Sequence, residues 1–230
     1  MVCPVSCRAR SLLAAALAIA SVMVSPYAHA QIPGQEANSG AKSDRPYNDG
    51  PLTAADFRGQ PPTAGELAGS PFQAFLYMDL TWSSEYRTAG RGRVITAYLT
   101  QFQAAAVSNP SKSWNLWGKK KPDLLDHEQG HFDITQTHAQ RLEIRMRKLL
   151  AAKQPLAATG ETKAAAVEAL NALLDKEVKT AKAVSDEENH EYDRLTVHGG
   201  VLEKQNEFRH VHQETLKKLA AELKAVKKKG

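Results

Sequence analysis

The chain predicts an α+β fold, a small antiparallel sheet followed by helices, on three observations. Residues 71–83 alternate in hydrophobicity, a second β-rich run follows at 93–102, and beyond residue 122 the apolar residues recur at three and four. Period two marks a strand with one buried face, and period 3.6 marks an amphipathic helix.

Taken in order, residues 1–30 read as a secretory signal peptide. Arg8 and Arg10 precede the apolar run Leu12 to Val24, and Ala28-His29-Ala30 supplies a cleavage site. The apolar run is short for a membrane span, and no later segment approaches about twenty apolar residues, so no transmembrane segment is expected in the mature protein. Residues 31–50 are rich in Gly, Pro, Ser, Asn and charge, the composition of a flexible leader, and residues 51–230 form the expected domain.

Within that domain Phe72, Ala74, Leu76, Met78, Leu80 and Trp82 define the buried face of a first strand. Thr88 to Gly92 supplies turn chemistry for a hairpin into the run from Arg93 to Phe102. Lys112 to Trp117 reads as a third short strand. A helix with Leu124, Leu125, Phe132, Ala139 and Leu142 on its buried stripe then runs to about Leu150. Beyond Pro155 the spacing of Val167, Leu170, Leu174, Val178, Ala181 and Val184 predicts a long helix from about Glu161 toward Thr196, closed by Gly199-Gly200. A lysine-rich helix from about Leu202 to Val226 completes the chain.

The chemistry concentrates in Asp126-His127-Glu128-Gln129-Gly130-His131-Phe132, where His127, Glu128 and His131 spell H-E-x-x-H. A spacing of four stacks both imidazoles on one helix face, in reach of one zinc ion. Glu128 is placed as the general base of a zinc peptidase, taking the proton of the attacking water. Gly130 costs about 1 kcal/mol in a helix interior relative to alanine, so its presence asks for a reason, such as close approach of another segment.

The run from Asp123 to Ile134 resembles the L-L-x-H-E-Q-G-H-F-D-I core of a bacterial domain family described as predicted secreted zinc-dependent proteases. Three further stretches share the resemblance: Pro51 to Gly59, Ser113-Trp114, and Glu191 to Gly199, the last similar to a Y-D-x-x-T-x-H-G segment. It spans about residues 50 to 215, and Ala54 departs from it where tryptophan is usual. The resemblance implies an exported zinc site and a peptide or protein substrate. The element order suits a zincin-like metallopeptidase, in which an edge strand beside the metal pairs with an extended substrate.

A catalytic zinc usually has a third protein ligand and an open position. Ile134 and Thr137 exclude the metzincin pattern, and His138 and Glu143 lie too far along the helix. The candidates that can return from elsewhere are Glu191, Asp193 and His198. His198 is favoured because imidazole suits zinc and the adjoining glycines permit close packing, with Asp193 nearly its equal. The other would serve beside the site, orienting a histidine or stabilising an oxyanion. Tyr192 is either an oxyanion donor or a core residue, and His138, His190, His210 and His212 read by default as surface residues, His138 alternatively as a support for the ligands.

Composition bounds the rest. Both cysteines, Cys3 and Cys7, lie in the signal segment, so the ligands of the mature chain must be His, Asp or Glu. The net charge of +5 falls slightly when Arg8 and Arg10 are removed, and no nucleic-acid footprint or motif is present. The rival expectation is a non-enzymatic envelope protein with a closed structural zinc site and a basic helix for a partner or an acidic surface.

Overall fold

The structure, a computed structural model, describes residues 44–63, 66, 73–116 and 122–227. The signal segment, most of the leader, Phe72 and Trp117 lie outside them. Six strands are present among the described residues: β1 (Arg45–Pro46), β2 (Ala74–Phe75), β3 (Met78–Arg91), β4 (Val94–Ser108), β5 (Trp114–Asn115) and β6 (Ala157–Gly160). Three helices follow the long hairpin: α1 (Pro122–Ala151), α2 (Lys163–Thr196) and α3 (Leu202–Lys227).

The alternating segment divides. Ala74 and Leu76 are buried as expected, but β2 pairs antiparallel with β5, and β3 starts afresh at Met78 to pair with β4. The β3–β4 hairpin turns at Gly92-Arg93, with Gly92 at φ +64, so Thr88 to Arg91 belong to the strand. Opposite Glu85 and Tyr86 the register slips by one, leaving Thr100 as a bulge. The slip switches the buried parity of β4, from Ala97 and Leu99 to Phe102, Ala104 and Ala106, and keeps the whole strand facing the helices. The other face, with Ser83, Glu85, Gln101 and Gln103, is exposed, as a one-sided antiparallel sheet requires.

Two elements differ from the sequence expectation. Arg45–Pro46 pairs with Ser108 and Val107, so ordered structure begins before Pro51, inside the stretch read as a flexible leader. Its anchors are side chains rather than composition: Arg45 pairs with Asp56 at 3.0 Å, and Tyr47 packs edge-on against Phe132. The second difference is β6, which pairs with β4 at Ile95 to Tyr98 where only a helix approach was expected.

α1 is buried on every side from His127 to Ala139. One flank covers the edge of β4 left open between β1 and β6. There Gln136 Oε1 accepts the Ala106 N–H at 2.8 Å, and Glu143 accepts that of Ala104 at 3.4 Å. α2 runs antiparallel to α1, with Asp193 beside His127 and Glu177 beside Arg145. α3 runs parallel to α1, with Gln205 at Asp123 and Glu222 at Lys148. Leu142, Met146, Leu170, Leu174 and Val178 close the core against Leu80, Leu99 and Phe102. Among the described residues no helix is long and apolar enough to cross a membrane.

Candidate metal centre

The start of α1 and the end of α2 bring three ligand groups together. His127 Nε2 and His131 Nε2 are 3.2 Å apart, and each is 3.0 Å from Asp193 Oδ1. These three residues form the one group among the described residues whose ligand atoms could hold a metal ion. The expected histidine pair is therefore joined by Asp193 rather than by the favoured His198. His198 stands at the margin, its Nδ1 3.3 Å from the same Asp193 oxygen. Glu191 points away into an ion pair with Arg194.

Hydrogen bonds on the far side of each ring decide which nitrogen is bare. Asn189 Nδ2 donates to the Ser185 carbonyl at 2.9 Å, which turns Asn189 Oδ1 toward His131 Nδ1 at 2.8 Å. That oxygen can only accept, so Nδ1 carries the proton and Nε2 of the neutral ring presents its lone pair to the cluster. Thr196 donates to the Tyr192 carbonyl at 2.7 Å and leaves its oxygen facing His127 Nδ1 at 3.5 Å, a longer version of the same arrangement. Two imidazole lone pairs and a carboxylate then converge, and they require a cation or shared protons between them.

The electrostatics agree. Burial opposes the charge of Asp193, but contacts from His127 and His131 hold its carboxyl well below the usual carboxylate range. Burial also opposes charge on His131, yet Asp193 outweighs it and moves this imidazole above its ordinary value. On His127 burial wins and the shift is downward. A metal ion bound here would thus compete with protons for the same lone pairs.

Glu128 is buried, and this pushes its carboxyl up to about 7 while the Leu76 N–H donates to it. The segment that supplies this N–H follows β2 directly. Tyr192 is wholly buried, its ring stacked on His127 at 4.8 Å and set edge-on to His131 at 5.0 Å. Its hydroxyl is enclosed against Gly130 with no hydrogen-bond partner among the described residues, which supports the core reading. Here, too, is the reason for Gly130: a Cβ at that position would collide with the Tyr192 hydroxyl and ring.

Behind the site lie side chains that the sequence reading missed. Asn189, Asp193 and Thr196 share one face of α2 at i, i+4 and i+7, so helical counting from Asp193 could have found them. His138 and His212, read by default as surface residues, are buried and flank Glu188 at 2.6 and 3.4 Å, whereas His190 and His210 are exposed as expected. α2 ends at Thr196, as its apolar spacing predicts. Val197 and His198 both adopt left-handed backbone, φ +50 and +51, and Gly199 at φ +83 packs against His127.

The family described as "Bacterial protein of unknown function (DUF922)" matches residues 50–199, which contain every ligand named above. No curated protein and no solved structure matches the chain.

Proposed function

The chain belongs to the bacterial DUF922 family, and we propose for it the role of an exported zinc-dependent peptidase, periplasmic or secreted. The observation that carries this reading is the convergence of His127, His131 and Asp193 beside a buried Glu128. Ligands about 2.0–2.1 Å from a tetrahedral zinc lie about 3.3 Å apart, and the three atoms here are separated by 3.0 to 3.2 Å. Two imidazoles and a carboxylate suit zinc, and three protein ligands leave a position for water.

Bound there, zinc would polarise the scissile carbonyl and lower the pKa of water. Glu128 takes the proton of the attacking water and delivers it to the leaving amine. Its burial beside the ligands keeps this carboxyl out of bulk water, where it can hold the proton between the two steps. The Leu76 N–H fixes one carboxylate oxygen and leaves the other for the water. His198, beside Asp193, would be the group that stabilises the oxyanion.

Glu128→Gln keeps its hydrogen bond from Leu76 and loses the base. Zinc content should be unchanged while hydrolysis of an unfolded protein falls by about 10²-fold or more. Turnover at the wild-type rate in that variant would remove Glu128 from the mechanism. A second reading has its own observation: His198 Nδ1 lies 3.3 Å from the Asp193 oxygen, and a shift toward the histidine pair would make a closed, structural four-ligand site. In that case His198→Ala would lose zinc as readily as Asp193→Ala.

A further inference from the structure

The two long strands differ in what lies along their outer sides. Beyond β3, β4 has β1, α1 and β6 along it, whereas β3 pairs with β4 alone. Hydrogen bonds already on β4 fix which residues of β3 face outward. The Ala104 and Ala106 N–H groups point to Glu143 and Gln136, and the Leu99 N–H points to the Leu156 carbonyl. Their partners across the hairpin, Trp82, Leu80 and Tyr86, therefore turn their own N–H and C=O groups away from β4. By alternation Ser84 and Thr88 do the same. The Leu80 N–H is taken by the Asp79 carboxylate at 2.7 Å, but from Trp82 to Thr88 the outward groups have no hydrogen-bond partner among the described residues.

An open edge of this kind is a template for another strand, and monomeric proteins blunt it with lysine, proline or a very short edge. β3 is 14 residues long and contains neither lysine nor proline. The lysine that approaches it, Lys182, is held by Asp79 at 2.6 Å, before the open stretch begins. Ser83, Glu85, Tyr86 and Arg87 are exposed along that stretch.

We infer that β3 pairs antiparallel with β3 of a second copy of this chain, about a two-fold axis at Tyr86, to make one continuous sheet across a dimer. Outward groups must meet outward groups, so the axis falls at a residue of the strand, and charge selects which one. An axis at Glu85 or at Arg87 sets identical charges face to face. At Ser84 it leaves Glu85 opposite Ser83. At Tyr86 it sets Glu85 of each copy opposite Arg87 of the other, with Ser84 opposite Thr88. Both charged side chains lie on the exposed face, where Gln101 donates to Glu85 at 2.6 Å and Arg87 lies over the Tyr98 ring at 4.7 Å. A foreign strand would use the same backbone groups without requiring this order of charges. Neither zinc nor catalysis enters the pairing.

Sedimentation equilibrium of the purified protein from about 1 to 300 μM should show the mass of two chains at the upper end. Arg87→Glu, which puts four acids around the axis, should raise the dissociation constant at least about tenfold. Glu85→Arg combined with Arg87→Glu restores opposite charges and should regain the dimer. Ser84→Pro removes an outward N–H without removing a bond to β4, so it should give a monomer with an unchanged circular dichroism spectrum. In the wild type, the amides of Trp82, Ser84, Tyr86 and Thr88 should exchange more slowly as concentration rises. A wild type that stays monomeric over this range would overturn the inference. So would a dimer that Arg87→Glu and Ser84→Pro both leave intact, a doubly swapped protein that remains monomeric, or exchange at those four amides that ignores concentration.

Discussion

Glu128 and Gly130 show how single residues are fixed by what surrounds them. The Glu128 carboxyl is moved by burial from 4.5 to about 7, so the folded protein holds a proton there that the unfolded chain releases. Its contribution is therefore full below pH 4.5 and is lost as pH rises toward 7. Metal-free Glu128→Gln should match the wild type near pH 4.5 and exceed it by on the order of 3 kcal/mol at pH 8, read from denaturant midpoints. A constant gap across that range would mean the carboxyl is not desolvated. At Gly130, alanine should cost about 2–3 kcal/mol and weaken metal binding through the displaced Tyr192 ring, while Tyr192→Phe, which removes an unpartnered hydroxyl, should be neutral or stabilising. A tolerated Gly130→Ala would contradict the packing described. At this scale the motif was legible because His127, Glu128 and His131 sit within five residues of sequence. Asp193 was one of three alternatives, because the choice between it and His198 depends on the path of the chain past Thr196, set by Val197 and His198 in left-handed backbone that carries no glycine signal.

The elements were legible wherever one periodicity ruled the whole segment. α2 and α3 follow the expected bounds closely, for each shows one apolar stripe. α1 was found by its stripe and its motif, but its polar residues were not foreseen as buried. Gln129, Gln136 and Glu143 enter the core because the open edge of β4 and the Leu52 N–H need acceptors, a demand that no local pattern announces. Gln136→Ala should leave the Ala106 N–H buried without a partner and cost about 1–3 kcal/mol, a fall in melting temperature of roughly 2–10 °C for a domain of this size. An unchanged melting temperature would show that β4 is held by its strand neighbours and does not need α1. The Thr100 bulge was hidden for a related reason, since a parity change splits one alternating strand into two short runs, each ambiguous taken singly.

Over the whole molecule, the sheet and the end of α2 hold α1 from opposite sides, so the ligand geometry depends on tertiary packing rather than on a mobile loop. Metal binding should accordingly raise the melting temperature, and the gain should shrink as pH falls through the range in which His131 takes up its proton. The α+β class and the element order were legible because strand and helix periods occupy separate halves of the chain. The attachment of Arg45 to Asp49 was not, because it rests on contacts of Arg45 and Tyr47 with Asp56 and Asp133, far away in sequence. The central claim is a zinc centre made by His127, His131 and Asp193. Its most direct measurement is the zinc content of the purified protein beside that of Asp193→Ala and His198→Ala. One zinc per chain, lost in Asp193→Ala and kept in His198→Ala, is the predicted result; a wild type that binds no zinc, or an Asp193→Ala variant that binds it as tightly, would contradict it.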